Sequence, residues 1–552
     1  MAQQHKVTKK NVFWIASILI VLLLAIHILA FTKITFYNPS DLGLLIKLPI
    51  TFWIGLSFLT VLLYLGRKSG VRTVAVAILI FFYLFCIPVL ISENKAEFLA
   101  LSYAFSSQGS YLLSVGHVDF SALGYMSHQN WPGFFFDAGA LSRITSLPTT
   151  LFADYFPLLT LSLIGIMVYS TLKLRLNKVS SSFGALWFIA SFWTIQHYYS
   201  PQGLAYIFFF AIFFFLTKLF FEKKQNAALP LIVLILFTAL VGTHLLTSLA
   251  IALGFIAAYA LAKFFPQKRK LVSFYSITTC ILLVSIFIAY QMLVVSGSFD
   301  GIVKLLIAQL SQGETHLAVI SQGRQFTSPA LQLLLFGSYG ITIINVIIAL
   351  IAILATTIGL FISKKEEARS DLFFIAWIII AGLIGVSVYY GSEVIQRAFI
   401  IGLLPISYFV AKFFSKKSRI MVFLLIIVVF LQIPAHYAHM SWMYVPTSEM
   451  RGGSFYARYA PSGASFFYEP VLGSFDEGPL NGTIVSITIS APGRLIPSSE
   501  VVDEIVGRAD FVIISSQMKN YFQFFYGNLL ENVSLDQYSR LYDNGFFQVY
   551  SR

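Results

Sequence analysis

The sequence predicts an all-α polytopic membrane domain of about thirteen transmembrane helices, followed by a small C-terminal extracytoplasmic domain of α/β or α+β type. Three observations carry this. Hydrophobic residues make up 58% of the 552 and charged residues only 11%, with a mean hydropathy of +0.80, more apolar surface than a water-soluble fold of this length buries. Apolar runs of roughly 17–25 residues, each able to cross ~30 Å of hydrocarbon as a helix, recur between short polar breaks. Lys and Arg gather in every second break.

The runs are 12–31, 43–65, 72–91, 152–172, 181–196, 203–221, 228–243, 246–264, 272–296, 336–362, 372–390, 395–413 and 418–434. The break at Val241-Gly242-Thr243-His244 is so short that a re-entrant hairpin competes with two spans. Seven basic segments, from Lys6, Lys9 and Lys10 to Lys412, Lys416, Lys417 and Arg419, hold 23 of the 37 basic residues. Lys and Arg accumulate in cytoplasmic loops, so the alternation puts the N-terminus in the cytoplasm and the C-terminus outside a cell membrane crossed many times. The run 12–31, too long for a signal peptide, reads as the first span.

The net charge of +13 is then a topology signal beside anionic lipid headgroups, and no nucleic-acid partner is needed. Cys86 and Cys280 both fall in spans, which excludes a disulfide framework and a thiolate metal site.

Within the membrane domain, 1–440, the sequence expects two long outer loops, 92–151 and 297–335. Long structureless loops are uncommon unless functional, and the amphipathic alternation in both suggests short helices along the membrane surface. The first holds Asp119, His128 and Trp131-Pro132-Gly133; the second holds Asp300, Glu314, His316 and Arg324. The short outer breaks carry His197, Tyr199 and Gln202, then His244, then Glu393 and Arg397. Seven of the nine His share this side, counting His436 and His439 at the end of the last run. From 441 to 552 the composition turns mixed. Alternation at 482–489 and 511–514 predicts strands and 499–508 a helix, while Asn544-Gly545 predicts a hairpin.

A polar outer face holding carboxylate, His, Arg and Tyr suits a substrate with a lipid tail and an anionic head. Arg clamps phosphate through charge-assisted hydrogen bonds, and a carboxylate can deprotonate an acceptor hydroxyl. Each residue also has a structural reading. Asp119 can cap a helix, Glu93 can mark the end of a span, and His128 can simply precede a turn beside an interfacial Trp. His244 can be a packing histidine, and Glu393 with Arg397, spaced i and i+4, can pair along one helix face.

The layout resembles the GT-C superfamily of polytopic glycosyltransferases. The resemblance rests on the large first loop with Asp119 and His128-Gln129-Asn130-Trp131-Pro132-Gly133-Phe134-Phe135, on Tyr198-Tyr199-Ser200-Pro201-Gln202, and on the ending Leu541–Tyr550. It implies transfer of a sugar from a polyprenyl-phosphate-linked donor to a lipid, glycan or protein acceptor outside the cell, by inverting displacement. Asp119 first, Glu93 second, would be the base or a ligand of a divalent ion, Mg or Mn. Arg397, with His244 or His197, would hold the phosphate leaving group, and His128, Tyr199, Gln202 and Glu393 would line the substrate. Two departures stand out: the large loop follows the third span, and the chain has no Asp-x-Asp. A polymerase or ligase of lipid-linked glycans, a transporter and a non-catalytic scaffold are the alternatives. Ion-coupled transport expects charges at mid-membrane, where this chain has few.

Overall fold

The computed structural model describes residues 2–34, 42–93, 101–118, 130–221, 228–264, 277–295, 329–362, 365–387, 392–439, 444–459, 461–467, 483–485, 499–526, 530 and 533–552. Helices α1 (Ala2–Phe31), α2 (Ile50–Gly66) and α3 (Gly70–Ile91) come first. Two shorter helices, α4 (Leu101–Val115) and α5 (Gly133–Thr145), occupy the first long loop as the sequence expects. Then come α6 (Thr149–Lys173), α7 (Lys178–Ser191), α8 (Pro201–Phe221), α9 (Ala228–Val241), α10 (Leu245–Phe264) and α11 (Ile277–Leu293). The helical part ends with α12 (Pro329–Ile362), α13 (Lys365–Ser387), α14 (Ser392–Phe414) and α15 (Ser418–Tyr437).

Seven of the described helices are long and apolar enough to cross a membrane, and five shorter apolar helices stand among them. One expected run is corrected. The span 181–196 stops being helical at Ser191, where Phe192 turns to φ −78°, ψ 67°, and hydrophobicity continues through 195 in a non-helical segment. Hydrophobic periodicity does not distinguish a buried helix from a buried extended chain. The Gly242–His244 break is a tight turn: Thr243 N and His244 N both donate to Leu240 O, at 3.0 and 2.9 Å. Of the second long loop, 296–328 lies outside the described residues.

Irregular backbone is matched by side-chain partners. In α3 the stretch Phe82–Cys86 widens into a π-helical turn. Pro88, two residues on, has no N–H to give to the carbonyl four residues back. That carbonyl, Leu84 O, accepts instead from the Tyr437 hydroxyl of α15 at 2.6 Å.

Beyond α15 the chain enters α16 (Thr447–Tyr459), α17 (Ser499–Val506) and α18 (Ser516–Tyr526). They accompany β1 (Ser465–Phe467), β2 (Thr483–Val485), β3 (Phe511–Ser515), β4 (Ser539–Asp543) and β5 (Phe547–Ser551), in the order β2-β1-β3-β5-β4. β1 runs parallel to β2 and β3, while β3, β5 and β4 are antiparallel. Phe466, Val512, Ile513, Met518 and Phe547 form its core. The expected Asn544-Gly545 turn closes the β4–β5 hairpin, with Gly545 at φ +84°, a conformation glycine adopts without steric cost. The buried Glu449 carboxylate of α16 accepts from Ser516 Oγ at 2.5 Å and Gln517 N at 3.0 Å. It thereby caps the positive end of α18.

Candidate active site

The site grows from the segment between α7 and α8. Residues 192–200 have no helical hydrogen bonding and all are buried except the half-buried Trp193. Non-helical backbone inside an apolar bundle persists only where protein or a polar cavity satisfies it. Gln432 Nε2 of α15 donates to Phe192 O at 2.9 Å, and Trp193 N donates to Ser191 O at 2.8 Å. The helix restarts at Pro201, whose fixed φ suits a first helical position. Ser200 Oγ caps it by accepting from Gly203 N at 3.0 Å.

Three neighbours converge on this segment. The first is an imidazole pair: His197 stacks on His436 of α15, with ring centroids 5.9 Å apart and planes inclined by 17°. Phe85, from the π turn of α3, meets both rings edge-on, and Phe192 meets His197. His439, just beyond α15, is buried, and burial together with His436 pushes its pKa down to about 3, so it is a neutral group at physiological pH.

The second neighbour is α14. Gln196 Nε2 donates to Gln396 Oε1 at 3.1 Å, and Trp193 packs on Phe399 with centroids 5.9 Å apart. These contacts bring the segment against the turn of α14 that carries the half-buried Arg397.

The third is α5. Tyr199 is wedged between Phe134 and Phe156, at 4.6 and 5.4 Å, and burial pushes its phenol pKa up. At the start of α5, Gly133 N donates to Gly242 O at 3.0 Å. A Cβ at Gly133 would stand 2.7 Å from Thr243 Oγ1 and 3.0 Å from Gly242 O, so only glycine allows this approach. Tyr290 of α11 holds the preceding turn by donating to Asn130 O at 3.0 Å. Trp131-Pro132-Gly133, Tyr198-Tyr199-Ser200 and Gly242-Thr243-His244, far apart in sequence, therefore meet at one end of the bundle.

The expected residues fall out as follows. His197, Tyr199 and Arg397 belong to this assembly. His244 joins it through the Gly133 contact; its Nδ1 lies 2.9 Å from Thr247 Oγ1 and accepts from Thr247 N at 3.3 Å. Gln202 is engaged inside the protein, donating from Nε2 to Tyr206 Oη at 2.7 Å. Glu93 is exposed and its N donates to Ile34 O at 2.8 Å. Glu393 stands in the first turn of α14, one turn before Arg397, and its side chain is outside what is described. Asp119 and His128 lie outside the described residues. His436, Gln196 and Gln396 are partners that no local motif marks, although His436 was legible as one of the seven histidines on this side.

Among the described residues, no group of three or more His, Cys, Asp and Glu is arranged to hold a metal ion. The described residues do not by themselves form an oxygen-rich set of the kind Mg or Mn takes.

A bundle of apolar helices with a polar end and a small appended mixed sheet is also the fold of solved membrane oligosaccharyltransferases, to which the chain is similar. These are structures of the oligosaccharyltransferase of Archaeoglobus fulgidus. One, tethered to an acceptor peptide, matches with a TM-score of 0.53 at 13% identity, over 88% of this chain and 74% of that one. The apo form matches with 0.52 at 12% identity over 89% and 75%. A third, named AglB and bound to an inhibitory peptide and a dolichol-phosphate, matches with 0.51 at 11% identity over 88% and 74%. No family model and no curated protein sequence matches the chain.

Proposed function

We propose that the protein is a membrane glycosyltransferase that moves a sugar or oligosaccharide from a polyprenyl-phosphate-linked donor to an acceptor outside the cell. The observation that carries this reading is the tie between the buried non-helical segment and α14 through Gln196 and Gln396. It holds the Arg397 turn against a polar cluster at one end of an apolar bundle, where the head of a lipid carrier would arrive. Arg397 binds the phosphate and stabilises the charge that develops on it as the glycosidic bond breaks. His197 or His244 adds a second donor. Asp119 or Glu93 removes the proton from the acceptor, directly or as a metal ligand. His128, Tyr199, Gln202 and Glu393 shape the substrate pocket.

In this reading 1–440 is the membrane domain with thirteen spans, N-terminus cytoplasmic, and 441–552 lies outside the cell. The fold similarity to an enzyme solved with dolichol-phosphate and with acceptor peptides supports a lipid-linked donor and makes a peptide acceptor the first to try.

The test is sugar transfer by the purified protein from a panel of polyprenyl-phosphate and polyprenyl-pyrophosphate donors to peptide, lipid and glycan acceptors. Asp119→Asn, Glu93→Gln and Arg397→Gln run beside wild type, with and without a chelator. Transfer by wild type, abolished in one carboxylate variant that stays folded, supports the reading and names the acid. No turnover of any donor by folded wild type sinks it.

A further inference from the structure

The opposite end of the same bundle holds a second polar cluster that the transfer reaction does not use. Asp371 of α13 is buried, and its two carboxylate oxygens are both occupied. Oδ2 pairs with Lys412 Nζ of α14 at 2.6 Å, and Oδ1 accepts from Tyr408 Oη at 2.9 Å. Tyr408 stacks on Phe374, ring centroids 3.9 Å apart and planes 11° from parallel, and Phe374 stacks in turn on Phe221 of α8. The guanidinium of Arg175 lies over the Phe221 ring, 4.3 Å from the centroid.

Two cations thus bracket a three-ring stack around a single carboxylate, and that carboxylate is held by Lys412. Arg175 is exposed and has no carboxylate partner among the described residues. It is nonetheless held by the ring beneath it. It stands just past the last turn of α6, whose exposed face carries Leu159 and Ile166, side chains that in a membrane-spanning helix meet lipid tails. A planar, prepositioned guanidinium with unsatisfied charge at the rim of a lipid-facing surface matches a phosphate oxyanion. Basic pockets between membrane helices bind anionic headgroups in this way.

We propose that Arg175, backed by Lys412, forms a binding site for the phosphate of an anionic phospholipid at the Lys/Arg-rich end of the bundle. The phosphate supplies the negative charge that the cluster lacks, and the aromatic stack holds the site open without it. The site is independent of the transfer reaction.

Native mass spectrometry of the full-length protein in micelles tests this, with phosphatidylglycerol, phosphatidylcholine and inorganic phosphate added in separate arms. Wild type is expected to retain one phosphatidylglycerol and no phosphatidylcholine. Arg175→Gln should need roughly five- to tenfold more phosphatidylglycerol for the same occupancy. Arg540→Gln, which removes an exposed charge from β4, should behave as wild type. Equal retention of the two lipids by wild type, or unchanged phosphatidylglycerol retention in Arg175→Gln, overturns the proposal. Inorganic phosphate that displaces the lipid at equal concentration overturns the lipid assignment. The wild-type comparison of the two lipids stands even if a variant does not fold.

Discussion

The two ends of the helical bundle solve the problem of polar groups in an apolar medium in opposite ways. At the Lys/Arg-rich end, regular helices deliver one buried carboxylate to two named donors, Lys412 and Tyr408. At the His-rich end the helices themselves are interrupted: α7 stops at Ser191, α3 widens at Phe82–Cys86, and α15 carries Pro434. The polar groups there are imidazoles, amides and one arginine, with no buried ion pair among the described residues. A buried ion pair ties helices together by spending its two charges on each other. Imidazoles and amides on irregular backbone shape the other end without a buried counter-charge among the described residues. The difference assigns support to one end and chemistry to the other.

Four experiments break or sharpen that contrast. The largest effect is expected from Arg397→Gln, which should lower sugar transfer about 10²- to 10³-fold, as loss of one charge-stabilising donor does elsewhere, with the melting midpoint unchanged. Transfer within threefold of wild type would remove Arg397 from the chemistry. Asp371→Ala should leave transfer by the folded fraction intact and cost at most about 3 kcal/mol of stability, because the half-buried Lys412 ammonium loses its counter-charge. Thermal unfolding in micelles reads this directly. A loss of activity without a loss of stability would reverse the roles of the two ends.

Next is Gly133→Ala. The added methyl meets Thr243 Oγ1 and the Gly242 carbonyl, and forcing it in should cost roughly 1–3 kcal/mol and raise KM more than it lowers kcat. An unchanged KM would mean that the α5 contact does not shape the substrate site.

The smallest effect is a pH dependence. His439 titrates near 3 in the folded protein against ~6.5 for an unperturbed histidine, so the unfolded chain takes up its proton first. Its contribution is full above about pH 6.5 and is lost as pH falls toward 3. The melting midpoint should fall between pH 7 and 5, and less steeply in His439→Gln. Parallel curves for the two proteins would show that His439 protonates without penalty.

Much of the helical layout could be read from spacing. The turn at Gly242–His244, the two helices in the first long loop, the Asn544-Gly545 hairpin and the helix at Ser499–Val506 all follow from local composition. The break after Ser191 does not, because Phe192–Ile195 is as apolar as the helix before it. The π turn at Phe82–Cys86 carries no compositional mark either. Of the site, motifs indicated His197, Tyr199, His244 and Arg397 as members of one face. What they could not indicate is pairing across 200 residues or more, such as Gln196 with Gln396 or His197 with His436. Those contacts arise from how helices pack, and no short pattern encodes them.

The early end of α7 bears on how the protein is made. Fourteen residues rise about 21 Å as a helix, short of the ~30 Å of hydrocarbon, and the helix carries Ser180-Ser181-Ser182 near its start. It is buried along nearly its whole length against α3, α6, α14 and α15. On leaving the ribosome such a segment is a poor candidate to enter the bilayer by itself. Its neighbours α14 and α15 are synthesised more than 200 residues later. During that interval α7 depends on α3 and α6, both already made, or on a chaperone within the insertion machinery. The part of the chain that organises the His-rich end therefore gains much of its permanent surroundings late.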